Sequence, residues 1–324
     1  LGDVYKRQVQ ISDFDSLEDK ETPLYLAIGV FDGVHVGHLA VIETAVLQAK
    51  IASGRAGVLT FNPHPSRLFQ GKEGTDLIMN LEMKTERLHS IGIDVVIAKS
   101  FDHAFASIQA DSFLEHLCEQ LPSLKGVCVG ENFRFGNKRA GDVETLVASG
   151  NRLGIDVWSL DRIKQNGLPI SSTRIRKSLE AGSIETANAL LGYNYLIRGV
   201  IESGQKLGRK IGFPTMNIQW CPECKPRFGV YAVQFRKNDS EDWVFGIANY
   251  GIRPTVISDK EPSPLLEIHS LEDHFFKLGD SLTVELISFI RPEQKFNSVS
   301  ELEVQIAKDC AIVSQLNQDG QQEN

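Results

Sequence analysis

The segment from Leu24 to Ile51 admits few folds. Leu24, Tyr25, Leu26, Ala27 and Ile28 form a short, continuously apolar run, as in a strand buried on both faces of a parallel sheet. The chain then turns through GVFDGVHVGH, Gly29 to His38. From Val36 to about Ala52 the apolar residues Leu39, Val41, Ile42, Val46, Leu47 and Ile51 recur at near-helical spacing. Strand, glycine-bent loop and helix in that order place the loop at the carboxyl edge of a sheet. There, unpaired amides and the positive end of a helix dipole favour an anion. His35 and His38 fall on one face of the first helical turn, and imidazole donors at that point can follow charge as it builds on a phosphate. Gly29 and Gly33 let backbone approach a ligand where a Cβ would collide. Two other readings stand beside this one. The histidines are a surface pair, or they begin a metal site whose third ligand would be His64 in NPHP.

A chain of 324 residues is long enough for two domains with separate cores. The net charge of −8 argues against a nucleic-acid partner, because counterion-release binding needs clustered Lys and Arg. A small phosphorylated substrate fits better. Five cysteines, at 118, 128, 221, 224 and 310, make no disulfide framework, and no apolar run is long enough for a signal sequence or membrane span. The expectation is a reducing cytoplasm. CPEC, with Cys221 and Cys224, is half of a zinc knuckle without a second half, and reads better as a solvated loop with free thiols. LGDVYKRQ at the start joins no periodic element and reads as a non-native or frayed start.

Beyond the first helix, apolar runs alternate with helical patterns. Ala56–Phe61 precedes Glu82–Ile91, Asp94–Ala98 precedes Asp111–Leu121, Gly126–Val129 precedes Asp142–Leu153, and Asp156–Leu160 precedes Thr173–Ala181. This alternation predicts an α/β, Rossmann-like doubly wound parallel sheet, whose ligands bind beyond the strand carboxyl ends. After Gly192 the texture changes to closely spaced β-rich runs, Tyr195–Ile201, Gly229–Phe235, Val244–Asn249, Leu265–Ser270 and Leu282–Phe289, which predict an antiparallel barrel. Ser300 with Glu303 offers a capping box for a closing helix to about Leu316, and the polar tail after it reads as frayed. The boundary is expected near 182–194, giving domains 9–184 and 185–316.

Other constellations admit two readings each. GENFRFGNKRAGD, Gly130 to Asp142, with Asn132, Arg134, Lys138 and Arg139, holds a nucleotide and its phosphates or is an ordinary polar loop. ISSTRIR, Ile170 to Arg176, sets Arg174 and Arg176 at a helix start, where cations oppose the dipole unless an anion is near; the plain reading is a capped helix with solvated arginines. SGQKLGRKIGFPTMN, Ser203 to Asn217, has Gly204, Gly208 and Gly212 spaced to wrap a triphosphate. Thr215 and Asn217 offer neutral oxygens for one side of a magnesium ion, or simply make a Pro-Thr turn. Glu267 in LLEIH is a proton acceptor for a hydroxyl nucleophile, or a solvated carboxylate on a wet strand face.

Taken together, GVFDGVHVGH, TFNPHP, FDHAFASIQADSF, GENFRFG, ISSTRIR, GRKIGFPTMN, FGVYAV, GIANYGIRPT, LEIH and RPEQKF resemble one family in matching order over about residues 20–312, the bifunctional prokaryotic riboflavin kinase/FAD synthetases. The resemblance implies a leading nucleotidyltransferase domain that makes FAD from FMN and ATP, and a trailing six-stranded barrel that makes FMN from riboflavin and ATP. The small-molecule partners it implies are riboflavin, FMN and ATP with Mg2+. Carried over by motif, His35 and His38 would stabilise charge on the ATP phosphates, while Asn132, Ser172 and Arg176 would orient the nucleotide and leaving group. Gly29, Phe31, Asp32, Gly33 and Asn62 would line that nucleotide site. In the barrel, Gly208, Arg209, Gly212, Phe213 and Pro214 would line the second site, Thr215 and Asn217 would ligate magnesium and ATP, Glu267 would be the base, and Arg291 would lie in the segment covering the flavin. The cysteines of CPECKPRFGV and the stretch TVISDKEPSP after Pro254 depart from the family pattern. Another nucleotidyltransferase and a flavin-binding regulator without turnover are the rival readings; the barrel motifs oppose the first, and His35, His38 and Glu267 oppose the second.

Overall fold

The structure is a computed structural model that describes residues 9–11, 13–204, 208, 211–238, 240–252, 263–272 and 276–322. The opening LGDVYKRQ, Arg209 and most of TVISDKEPSP therefore lie outside the described residues. The chain divides into two compact units, up to Ser172 and from Thr173.

The first unit is built on six strands: β1 Val9–Ile11, β2 Leu24–Ile28, β3 Arg55–Phe61, β4 Val95–Lys99, β5 Leu124–Gly130 and β6 Asp156–Leu160. All their pairings are parallel, in the order β1-β4-β3-β2-β5-β6. The chain moves outward from β2 through β3 to β4, then returns to the other side of β2 as β5. The switch point therefore lies between β2 and β5, and the crevice beyond their carboxyl ends is the natural ligand position. Leu24, Leu26, Ile28, Val127 and Val129 are fully or nearly fully buried, as the apolar runs require. The crossover helices are α1 Val36–Ile51, α2 Pro65–Gln70, α3 Leu81–Ser90, α4 His103–Ala106, α5 Ala110–Gln120 and α6 Val143–Leu153. Asn80, Asp102 and Asp142 cap α3, α4 and α6 by accepting from first-turn amides. Gly126 packs flat under the Trp158 ring, where a Cβ would collide. A small hairpin, β7 Lys164–Gln165 and β8 Leu168–Pro169, turns at Asn166 and Gly167, both left-handed.

In the second unit, α7 Ser172–Ala181 and α8 Ile184–Leu191 lead into six antiparallel strands; Ser172 itself closes the first unit. These strands are β9 Tyr195–Glu202, β10 Met216–Gln219, β11 Gly229–Lys237, β12 Val244–Ile252, β13 Pro264–Ser270 and β14 Ser281–Pro292. They close as a barrel in the order β10-β13-β12-β11-β14-β9, with β9 pairing β10. Tyr231, Val233, Phe235, Leu266, Ile268 and Val284 fill it. The helix α9, Val299–Gln322, lays Val313, Ile306 and Cys310 on Ala232 and Ile247.

Three expectations are corrected. The cap of α9 is Ser298 with Glu301, two residues earlier than Ser300 with Glu303: the Glu301 N–H donates to Ser298 Oγ at 3.2 Å and the Asn297 N–H to Glu301 Oε2 at 2.9 Å. The polar residues after Leu316 continue that helix to Gln322. Within the glycine-rich stretch, for which the sequence predicts no strand, Met216–Gln219 is a strand; its alternation is too short to register alone, and pairing on both sides fixes it. Upstream of the barrel, α8 ends in an αL cap at Gly192.

Candidate active sites

The turn after β2 is held in an unusual backbone path. Phe31 and Val34 both lie in the left-handed region, φ 49° and 35°, and Gly33 sits at φ 81°. The Phe31 ring folds back over Gly29 so closely that a Cβ there would lie 2.9 Å from it, which explains a glycine at that position. His35 is the N-cap of α1 yet makes no side-chain cap, and His38 closes the first turn through its N–H to the His35 carbonyl at 2.7 Å. The two imidazoles stack with centroids 3.5 Å apart and planes 17° from parallel, and Phe31 meets His38 edge-on at 5.2 Å. His38 Nδ1 is buried with no hydrogen-bond partner among the described residues. Burial, then the neighbouring His35 and Lys84, hold the His38 imidazole well below its ordinary pKa. Two stacked imidazoles cannot both carry charge in that space, and the depressed pKa of His38 favours its neutral form until an anion arrives.

The other expected residues distribute around this turn in different ways. Ser172 Oγ donates to the Asp32 carbonyl at 3.0 Å, joining the start of ISSTRIR to the histidine loop. The Asp32 carboxylate is 2 % exposed and accepts the Ile78 N–H at 3.0 Å. Asn62 follows β3 as an exposed residue with a cis bond to Pro63, its N–H given to Lys99 O. Asn132 follows β5 and is exposed, in a loop folded back through Phe135 and Gly141. Arg134 is spent on Asp142, the cap of α6, at 3.1 Å. Arg176 is half-buried on α7, in the second unit. His64 is not placed as a third ligand: its Nδ1 faces Ser66 at the start of α2, and no group of three His, Cys, Asp or Glu side chains among the described residues could hold a metal.

Sequence reasoning missed Lys84, 3 % exposed on α3, whose Nζ donates to the Val30 carbonyl of the same turn at 2.8 Å. Its signal was its place on the buried face with Leu88, four residues on.

The barrel holds a cavity of about 420 Å³. Glu267 lines it from β13, directly across from Asn217 on β10 and from Asn249 on β12. Residues opposite one another share a face, so carboxylate and two amides project together, and all three line the cavity. Asn249 was also missed; it shares a strand face with Ile247 and Gly251, which line the same cavity. The approach to β10 is held by Phe213 N–H to Gly208 O at 2.8 Å and by a hydrogen bond between His269 Nδ1 and the Pro214 carbonyl at 2.9 Å. Gly212 is left-handed at φ 84°, Thr215 is exposed at the rim, and Gly204 packs against the Asn217 amide. Arg291 reaches the cavity from β14, where Asp309 of α9, 1 % exposed, takes its Nε and Nη2 at 2.9 and 2.8 Å.

The cysteines are free thiols. Burial pushes Cys128 up to about 12 and Cys310 up to about 11, so neither is a nucleophile. No helix of the described residues is long and apolar enough to cross a membrane.

Comparisons with known proteins agree with this division. The FAD synthetase family profile matches residues 17–174 and the riboflavin kinase profile residues 191–317. The bifunctional riboflavin kinase/FMN adenylyltransferase of Escherichia coli K12 is 36 % identical over 284 residues, 88 % of this chain and 90 % of the relative. Those of Haemophilus influenzae and Bacillus subtilis are 38 % and 33 % identical, over 88 % and 90 % of this chain and 91 % and 92 % of their own. A solved structure from Streptococcus pneumoniae, described as a macrolide-efflux protein, superposes with a TM-score of 0.84 over 95 % of this chain and 98 % of its own; at 24 % identity that likeness speaks for the fold alone. The chain belongs to the bifunctional riboflavin kinase/FMN adenylyltransferases, enzymes that phosphorylate riboflavin to FMN with ATP and then adenylylate FMN to FAD.

Proposed function

We propose that the two reactions are divided between the two sites, and that the roles fall as follows. In the leading unit the FMN phosphate attacks the α-phosphorus of ATP; a P–O bond forms, the bond to the bridging oxygen of the β-phosphate breaks, and pyrophosphate leaves with the electron pair. His35 and His38 donate hydrogen bonds to the phosphate oxygens as charge shifts toward the leaving group. The observation that carries this reading is the stacked, buried histidine pair at a helix start beside the switch point. Gly29, Phe31, Gly33 and Asn62 border the nucleotide, and Asp32 shapes the turn through Ile78 and Ser172. Asn132 and Ser172 orient nucleotide and leaving group. No covalent enzyme intermediate is needed.

In the barrel, Glu267 accepts the proton of the ribityl hydroxyl as its oxygen attacks the γ-phosphorus of ATP, and ADP departs. Asn217 and Asn249 flank the carboxylate and hold its direction. Gly208, Gly212, Phe213 and Pro214 border the phosphates, and Arg291 borders the flavin. With no acidic cluster among the described residues, Mg2+ would take the neutral oxygens of Thr215 and Asn217 and complete its shell with phosphates and water. The ion supplies charge neutralisation on the transferring phosphoryl group. A domain boundary at 184/185 and a cytoplasmic location complete the proposal; free, partly buried thiols support the latter.

The test is a split of activities. Glu267→Gln is expected to lower FMN formation by about 10²–10⁴ while FAD formation from supplied FMN persists. His38→Ala is expected to lower FAD formation by about 10²–10³ and spare the kinase. Loss of both activities in either folded variant overturns the division.

A further inference from the structure

A lysine as buried as Lys84 is rare unless its charge is used. Its Nζ donates to the Val30 carbonyl at 2.8 Å and lies 3.5 Å from Thr60 Oγ1, which itself donates to the same carbonyl at 2.8 Å. The next residue, Phe31, is a bulky side chain in the left-handed region, a conformation that persists only where surroundings fix it. On the far side of Phe31, the Ile78 N–H, in the lead-in to α3, holds the Asp32 carboxylate. The turn is thus clamped before and after Phe31 by one segment, and Phe31 in turn packs edge-on against His38.

We propose that Lys84 is a positioning residue for adenylyl transfer: it fixes the Val30 carbonyl, and with it the left-handed turn that seats the histidine stack, and it brings a positive charge near His38. The inference rests on the reading of His35 and His38 as the phosphate-facing pair. The charged and titratable groups facing His38 are His35 on its own helix and Lys84 from α3, while Asp32 in the turn faces Lys84. Burial and His35 hold the His38 imidazole toward its neutral form, and the ammonium adds to their effect until substrate phosphates offset that charge.

Four proteins test this: the parent, Lys84→Met, Thr60→Val and His38→Ala, each assayed for FMN adenylylation across pH 5–9 with the riboflavin kinase rate as an internal control. Lys84→Met is expected to lower kcat at least tenfold, to leave KM for ATP within threefold, and to move the acid limb of the kcat profile to higher pH, because a cation beside His38 is gone. Thr60→Val removes the second donor and keeps the cation, so kcat falls while the limb stays in place. A Lys84→Met enzyme with parent kcat and an unmoved limb overturns the proposal, as does a limb that moves equally in Thr60→Val. Should Lys84→Met fail to fold, a Thr60→Val enzyme with parent kcat and parent melting overturns the clamp. His38→Ala separates the two levels: if it keeps full activity the histidine reading itself falls, whereas an inactive His38→Ala beside a parent-like Lys84→Met removes only Lys84.

Discussion

Burying an imidazole between another imidazole and an ammonium links the stability of the leading unit to pH. His38 titrates well below 6.5 when folded and near 6.5 when unfolded. Between those values the unfolded chain binds more protons, so stability rises with pH through that window and is lost as pH falls below about 6.5. Thermal melts of the parent and of His38→Asn between pH 7 and 5 are expected to diverge, the parent losing stability more steeply; carboxylates shared by both proteins cancel in the comparison. At this scale the sequence was legible where periodicity carries meaning. His35 and His38 stood out because a helix must start between a buried strand and an apolar face. Lys84 did not, because a lysine in LEMKTERLHS reads as a solvated charge until the packing of α3 is known. Asn249 escaped for a related reason: a polar residue in an apolar strand declares its face only once the barrel closes and sets it opposite Glu267.

The helix α9 is tied to the barrel by apolar contacts and by one nearly dry ion pair, Arg291 with Asp309, to which Gln305 adds a hydrogen bond at 2.8 Å. Removing one partner leaves the other charge without compensation, a loss of about 3 kcal/mol at the lower end for such pairs because the Arg291 side chain remains 17 % exposed. For a unit of this size that corresponds to about 6–12 °C in Tm. Asp309→Ala is therefore expected to lower the melting temperature of the barrel and, by releasing Arg291 beside the cavity, to raise KM for riboflavin, with FAD formation from supplied FMN unchanged. Calorimetry and the two separate assays check it. Elements were legible wherever apolar runs were long. They blurred at ends and in short pieces: two serines compete for the cap of α9, and it is Ser298 that accepts the Glu301 N–H while Glu301 takes the Asn297 N–H. Met216–Gln219 is too brief to show alternation, and the two-residue strands around Asn166–Gly167 carry a turn signal without strand length.

At the scale of the whole molecule, each unit is built on a sheet of its own. The parallel sheet closes its crevice around its own switch point, and the barrel has no free strand edge to be supplied from elsewhere. The change of texture near Gly192 foretold two architectures, but the strand order of the sheet was not legible, since right-handed crossovers allow several orders and only packing selects β2 and β5 as neighbours. If the two reactions run at separate centres, as proposed, FMN is a released product of one and a substrate of the other. If so, the two defects should complement in trans. A protein carrying Glu267→Gln is expected to make FMN very slowly but to retain the adenylyltransferase; one carrying His38→Ala makes FMN and converts it to FAD very slowly. Mixed with riboflavin, ATP and Mg2+, the pair is expected to produce FAD after a lag set by FMN accumulation. The lag should shorten in proportion to the concentration of the His38→Ala protein, and the steady rate should approach that of the parent at matched concentration. Chromatography of flavins over time reads all three quantities. A mixture that accumulates FMN without FAD, while the Glu267→Gln protein alone still converts added FMN, would mean that the intermediate never reaches solvent in a usable form, and the picture of two independent centres would give way to one of obligatory transfer.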